Sequence, residues 1–165
     1  MTDKMSLYQF PGCWGLPNAS PFCMKVETFL RMNNINYETV ETTMPMKSPT
    51  KKLPIIMDNN QCVYDSGLII EYLKNKFNLT LDDSLSTKQQ ALSIALQRLC
   101  EEHLYWAIVY SRWIDRHGWQ HTKKAYFENL PKLLKLIIPS IVRAGVKKAL
   151  HTQGLSRLSV DELYK

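Results

Sequence analysis

The stretch Asn18-Ala19-Ser20-Pro21-Phe22-Cys23 constrains this chain more than any other. It follows an alternating apolar run from Met5 to Phe10 and a loop holding Pro11, Gly12, Gly15 and Pro17. It leads directly into Met24-Lys25-Val26-Glu27-Thr28-Phe29-Leu30, whose apolar residues recur with helical spacing. Ser20 therefore stands as an N-cap, with Pro21 at the first helical position, where a missing N–H is harmless. The same residues serve two readings. Ser-Pro before an apolar helix is an ordinary start signal. A hydroxyl on a helix N-terminus is also a way to build an anion or thiolate site, because unpaired N–H groups and the positive end of the dipole meet there.

From that start the first half reads as a mixed α/β pattern. Leu7 to Phe10 is a strand, Pro21 to about Asn33 a helix with Phe22, Val26, Phe29 and Leu30 on one face, and Tyr37 to Thr42 a second strand rich in β-formers. Strand, helix and strand make a βαβ unit with parallel strands. A loop punctuated by Pro45 and Pro49, carrying Lys47, Lys51 and Lys52, precedes a β-hairpin: Leu53 to Met57, a turn at Asp58-Asn59-Asn60, then Gln61 to Tyr64. Pro54 cannot donate to a ladder, so it belongs at a strand start or edge. Asp65-Ser66 is a second cap signal, opening a helix with Leu68, Ile69, Tyr72, Leu73 and Phe77. The predicted order is β-α-β-β-β-α.

The second half is predicted to be helical. After a polar linker, Leu79 to Ser86, a long helix is expected from Thr87 to about His117, stopping at Gly118. Leu92, Leu96, Leu99, His103, Trp106, Tyr110, Trp113 and Ile114 give it an apolar, aromatic face that reads as domain core, with His103 as a hydrogen-bonded member of it. Two shorter helices, Tyr126 to Leu136 and Ser140 to Leu150, are expected on either side of Pro139. Ser159-Val160-Asp161-Glu162 is a capping box with only three residues after it.

Charge and cysteines narrow the class. The net charge of +6 is uneven: residues 1–120 hold twelve basic and twelve acidic residues, residues 121–165 nine basic and three acidic. A basic amphipathic surface of this kind can meet an anionic membrane, although a solvated helix face is the simpler reading. No recognition motif accompanies the charge, so no nucleic acid is expected. Cys13, Cys23, Cys62 and Cys100 form no C-x-x-C pair and no metal-ligand spacing with the four histidines, so neither a metal site nor a disulfide framework is expected. The longest apolar region, Leu133 to Val142, is broken by Lys135 and Pro139, and Met1 to Ser6 carries Asp3 and Lys4 without an apolar signal core. A cytoplasmic protein with reduced thiols is the expectation.

The element order together with Ser20-Pro21-Phe22-Cys23, Lys52-Leu53-Pro54 and Asp65-Ser66 resembles the glutathione S-transferase superfamily. The run from Pro17-Asn18-Ala19-Ser20 through Leu30, and Gln153-Gly154-Leu155-Ser156-Arg157, resemble its failed-axon-connections and metaxin-like branch. The resemblance implies an α/β thioredoxin-like N-terminal domain over residues 1–78, a linker at 79–86, and an all-α C-terminal domain at 87–165 that is shortened relative to the family. It implies glutathione as co-substrate: Ser20 steadies the thiolate, Lys52, Leu53 and a cis Pro54 hold the peptide, and Asp65 and Ser66 hold its γ-glutamyl end. Trp106 and Tyr110 then become candidates for the second-substrate pocket. Tyr8 is a rival hydroxyl for the sulfur. Conjugation of a small electrophile, a detoxification chemistry, and a homodimer follow from the same resemblance. A non-catalytic interaction module, as in metaxins, and a redox thiol at Cys23 are the alternatives.

Overall fold

The computed structural model describes residues 5–43 and 49–164. Pro45 and Lys47 of the expected loop, Asp3 and Lys4 near the start, and the last residue, Lys165, lie outside the described residues. The chain divides into two compact units, Met1–Ser84 and Leu85–Lys165, each with a core of its own.

The first unit runs β1 (Met5–Gln9), α1 (Pro21–Met32), β2 (Glu38–Glu41), β3 (Ile55–Asp58), β4 (Gln61–Tyr64) and α2 (Ser66–Phe77), which is the predicted order. The sheet order is β2-β1-β3-β4, with β1 parallel to β2 and β3 antiparallel to both β1 and β4. Register puts Leu7 beside Ile56 and Ile56 beside Val63, all three in or against the main core, while Tyr8, Ile55 and Tyr64 line up one residue on and so face the other way. Leu7 and Ile56 join Val26 and Leu30 of α1 and Ile69 and Leu73 of α2, all fully buried. Each such side chain contributes roughly 1.5–3 kcal/mol of transfer free energy. Asparagines end the pieces as their tolerance of the left-handed region allows: Asn34 after α1, Asn59 in the hairpin turn and Asn78 after α2 all have positive φ.

In the second unit α3 (Thr87–Arg98) continues through a π-helical segment (Leu99–Leu104) into α4 (Tyr105–Trp113). Then follow α5 (Arg116–Phe127), α6 (Lys132–Gln153), a short 3-10 turn (Leu155–Arg157) and α7 (Val160–Leu163). Three expectations are corrected here. The long helix ends at Trp113 rather than His117, because Asp115 turns to an extended ψ of 137° and α5 begins after it. Gly118 is no stop: it lies within α5, where an added Cβ would sit 2.0 Å from the Ser111 carbonyl oxygen, so it allows α4 and α5 to touch. Pro139 separates nothing. It lies inside one 22-residue helix, and its fully buried ring offsets the one lost backbone bond.

The expected aromatic core is also only half right. Trp106, Val109, Tyr110 and Ile114 of the α4 region pack with Leu150 of α6 and Leu163 of α7, whereas Leu92, Leu96, Leu99 and His103 are exposed. Tyr110 thus belongs to this core, with its ring edge-on to Tyr164. Arg143 of α6 donates to the Trp113 and Ile114 carbonyls at 2.8 and 3.1 Å, satisfying acceptors at the end of α4, and lies over the Trp119 ring. The four-residue α7 opens on the expected capping box of Ser159 and Glu162, and Leu163 anchors it.

Candidate functional site

The sheet brings the predicted residues to one end. Because β3 runs against β1 and β4 runs against β3, the C-terminal ends of β1 and β4 lie beside the N-terminal end of β3. Phe10 and the loop to Ser20 leave from the first, Asp65-Ser66 from the second, and Leu53-Pro54 leads into the third. Each chemistry-bearing residue then owes its place to a neighbouring chain start or end.

Ser20 is the N-cap of α1, in extended backbone with φ −84° and ψ 121°, and its hydroxyl accepts from the Cys23 amide at 3.4 Å. The hydroxyl is half-buried, and its proton is turned toward the Cys23 sulfur. One turn on, Cys23 is fully buried against Leu53 and Ile55, which joins the start of α1 to the Leu53-Pro54 segment. Burial pushes the Cys23 thiol up, more than hydrogen bonds from the Ser20 hydroxyl and the Phe10 backbone bring it down. A fully buried, protonated thiol is a poor nucleophile, which removes the main support for a redox thiol there.

The Leu53–Pro54 peptide bond is cis, and both residues are buried. Lys52 beside them is exposed. Asp65 caps α2: its carboxylate accepts from the Gly67 and Leu68 amides at 2.8 and 3.3 Å. Its backbone has φ 71° and ψ 130°, a region non-glycine residues avoid at a cost of about 1–3 kcal/mol. Ser66, the first residue of α2, is buried. Tyr8 packs with its ring against the Cys23, Leu53 and Ile55 cluster from β1. Among the described residues there is no group of three or more His, Cys, Asp or Glu able to hold a metal ion.

Two arrangements escaped the sequence reading. Asn18, fully buried, donates to the Phe10 carbonyl and accepts from the Ser20 amide at 2.9 Å. Gln9, the inward end residue of β1, donates to Glu27 on the buried face of α1 at 2.8 Å, and Arg31 and Tyr37 donate to the other Glu27 oxygen. The signal was present: Gln9 follows Met5 and Leu7 at the inward period of the strand, and Glu27 shares the face of Val26 and Leu30. Two polar residues at apolar positions imply a buried pair. Burial tends to raise the Glu27 carboxyl, but the hydrogen bonds from Gln9 and Arg31 and the Arg31 charge win, and it lies below its ordinary value.

A βαβ unit continued by an antiparallel hairpin and a helix, with a cis proline leading into β3, is a thioredoxin-like domain. The model of the glutathione S-transferase N-terminal domain matches residues 21–118, more than half of the sequence, and the chain belongs to that family. It is 43% identical over 121 residues to the isoprene-epoxide–glutathione S-transferase of Rhodococcus sp. (strain AD45), covering 70% of this chain and 51% of the relative. It is 36% identical over 140 residues to failed axon connections of Drosophila melanogaster, covering 85% of this chain and 33% of that protein. The chain thus spans about half, or less, of the length of these relatives. A glutathione transferase structure from Bombyx mori, BmGSTD1, superposes with a TM-score of 0.55 at 18% identity, over 74% of this chain and 62% of that one. That likeness is one of fold.

Proposed function

We propose that the first unit binds glutathione at this end of the sheet and transfers its thiolate to a small electrophile. The observation that carries the reading is the meeting of a hydroxyl-capped helix start, the Leu53-Pro54 segment and a second helix start at one sheet end. The reactive species is the thiolate, so the site must favour the charged form of a thiol whose pKa is about 8.5 when free. Ser20 accepts its capping bond from the Cys23 amide, and on this reading its proton turns from the Cys23 sulfur to the sulfur of glutathione, beside the positive end of α1. The Leu53 backbone pairs with the tripeptide as an added strand. Because Asp65 takes the Gly67 and Leu68 amides, it is the Ser66 amide and hydroxyl that receive the γ-glutamyl carboxylate. Asp65 faces the γ-glutamyl amine, and Lys52 reaches the glycine carboxylate. The relative named for isoprene epoxide makes a small epoxide the first electrophile to test.

The test is a thermal-shift titration with glutathione, followed by conjugation assays. Ligand at 100 times its dissociation constant adds about 2.7 kcal/mol, a clear rise in melting temperature. Millimolar glutathione that neither raises melting nor supports conjugation ends this reading.

A second reading is a non-catalytic module that meets an anionic membrane surface. Helix α6 favours it: Lys132, Lys135, Lys147 and Lys148 face no acidic residue within the helix, and Leu133, Leu136, Ile137 and Ile141 are exposed on the same helix. No helix among the described residues is long and apolar enough to cross a membrane, so the contact would be interfacial. Its discriminator is salt-sensitive binding to vesicles rich in phosphatidylserine, in protein that ignores glutathione.

A further inference from the structure

We infer that Asn18 is the positioning residue that sets the Ser20 hydroxyl, an inference that rests on the glutathione reading for its chemistry. Between β1 and α1 the chain passes through residues 11–17, largely exposed, with Trp14 and Gly15 both at positive φ. The Leu16 amide donates to the Cys13 carbonyl at 3.0 Å, which closes the loop on itself. Asn18 fixes the direction in which the chain leaves it for α1. Its Nδ2 donates to the Phe10 carbonyl at the end of the sheet, and its Oδ1 accepts from the Ser20 amide at 2.9 Å. A carbonyl on one side and an N–H on the other leave only one orientation of the side-chain amide. One side chain therefore ties the strand end to the very residue that carries the hydroxyl.

The hydroxyl's own bonds both go to Cys23: the one from the amide is long, at 3.4 Å, and the other is to the thiol. The Asn18 bond acts instead on the Ser20 backbone, in the Asx-turn pattern of a side chain to an amide two residues on. Asn18 is fully buried, so both of its bonds matter. Alanine would take the partner from two half-buried backbone groups, the Phe10 carbonyl and the Ser20 amide. Aspartate would set a carboxylate oxygen against the Phe10 carbonyl.

The test compares wild type with Asn18→Ala and Asn18→Asp, with Leu73→Ala as a reference destabilised in the same unit but remote from Ser20 in the chain. Amide hydrogen exchange at Ser20 is read without ligand, and the absorbance of bound glutathione thiolate is read against pH. In Asn18→Ala, exchange at Ser20 speeds up on the order of tenfold. The bound thiolate then forms only at higher pH, and kcat at pH 7 falls while KM for glutathione holds. Leu73→Ala lowers melting without moving the thiolate titration. In Asn18→Asp, with exchange at Ser20 divided by the intrinsic rate at each pH, protection recovers in acid, where the protonated carboxyl donates to Phe10, and falls as pH rises. That titration carries the test if Asn18→Ala does not fold. Unchanged Ser20 exchange in Asn18→Ala, or an equal thiolate shift in Leu73→Ala, overturns the inference. A wild type that shows no bound thiolate ends the glutathione reading alone; accelerated Ser20 exchange would still uphold the tie.

Discussion

Single residues at the sheet end have structural duties and, on the proposed function, chemical ones as well, and measurements can separate them. Ser20→Ala removes an N-cap and should destabilise the first unit by about 1 kcal/mol, read from the shift of its urea midpoint. On the proposed function, conjugation should fall far more than that loss explains; equal activity in a folded Ser20→Ala would transfer the role to another donor such as Tyr8. The buried carboxylates give a pH dependence. Burial acts to raise Asp58, but hydrogen bonds from Lys76 and Tyr72 and the Lys76 charge hold it below its usual range, as Gln9 and Arg31 do for Glu27. With folded values lowered, the unfolded chain binds more protons, so stability rises with pH across the carboxylate range. The contribution is complete above about pH 4.5 and is lost as pH falls through the lowered folded values. Glu27→Gln should flatten that acid limb in melting measured between about pH 3 and 6. Ser20, Pro54 and Ser66 were legible because caps and prolines announce themselves in short local patterns. The part played by Asn18 was not, since its partner Phe10 lies eight residues away across a loop.

At the scale of elements, local pattern succeeded where one rule decides and failed where two helices meet. Gly118 looked like a stop, yet its meaning comes from Ser111, which local periodicity does not contain. Gly118→Ala should destabilise the second unit by about 1–3 kcal/mol, by pushing α5 off α4, with the first unit unchanged in hydrogen exchange. Pro139 looked like a break, and only the burial of its ring explains its place inside α6. Helix α7 is too short to hold by its own hydrogen bonds. Leu163→Ala should therefore release it and cost ~2–3 kcal/mol, read from exchange at the amides of 160–163 and from urea unfolding.

At the scale of the whole molecule, charge is the property that needs the full sequence. The whole excess of six positive charges falls in residues 121–165. If that surface meets an anionic membrane, binding to phosphatidylserine vesicles should weaken sharply as salt rises from about 0.1 M to 1 M, where the screening length drops from about 10 to about 3 Å. Binding that ignores salt would point to the apolar ridge of α6 alone.

Local chemistry, written in order along the chain, determined the strands and helices of the first unit, the capping residues Ser20, Asp65 and Ser159, and the family they resemble. Those features depend on residues a few places apart, and hydrophobic period, proline and N-cap rules act over that range. Tertiary structure alone decided that Asn18 ties Phe10 to Ser20, that Gln9 and Glu27 pair inside the core, and that Gly118 and Pro139 are contact points. Each of these depends on a partner brought close by folding, and a buried polar or tightly packed group takes its energy from that partner.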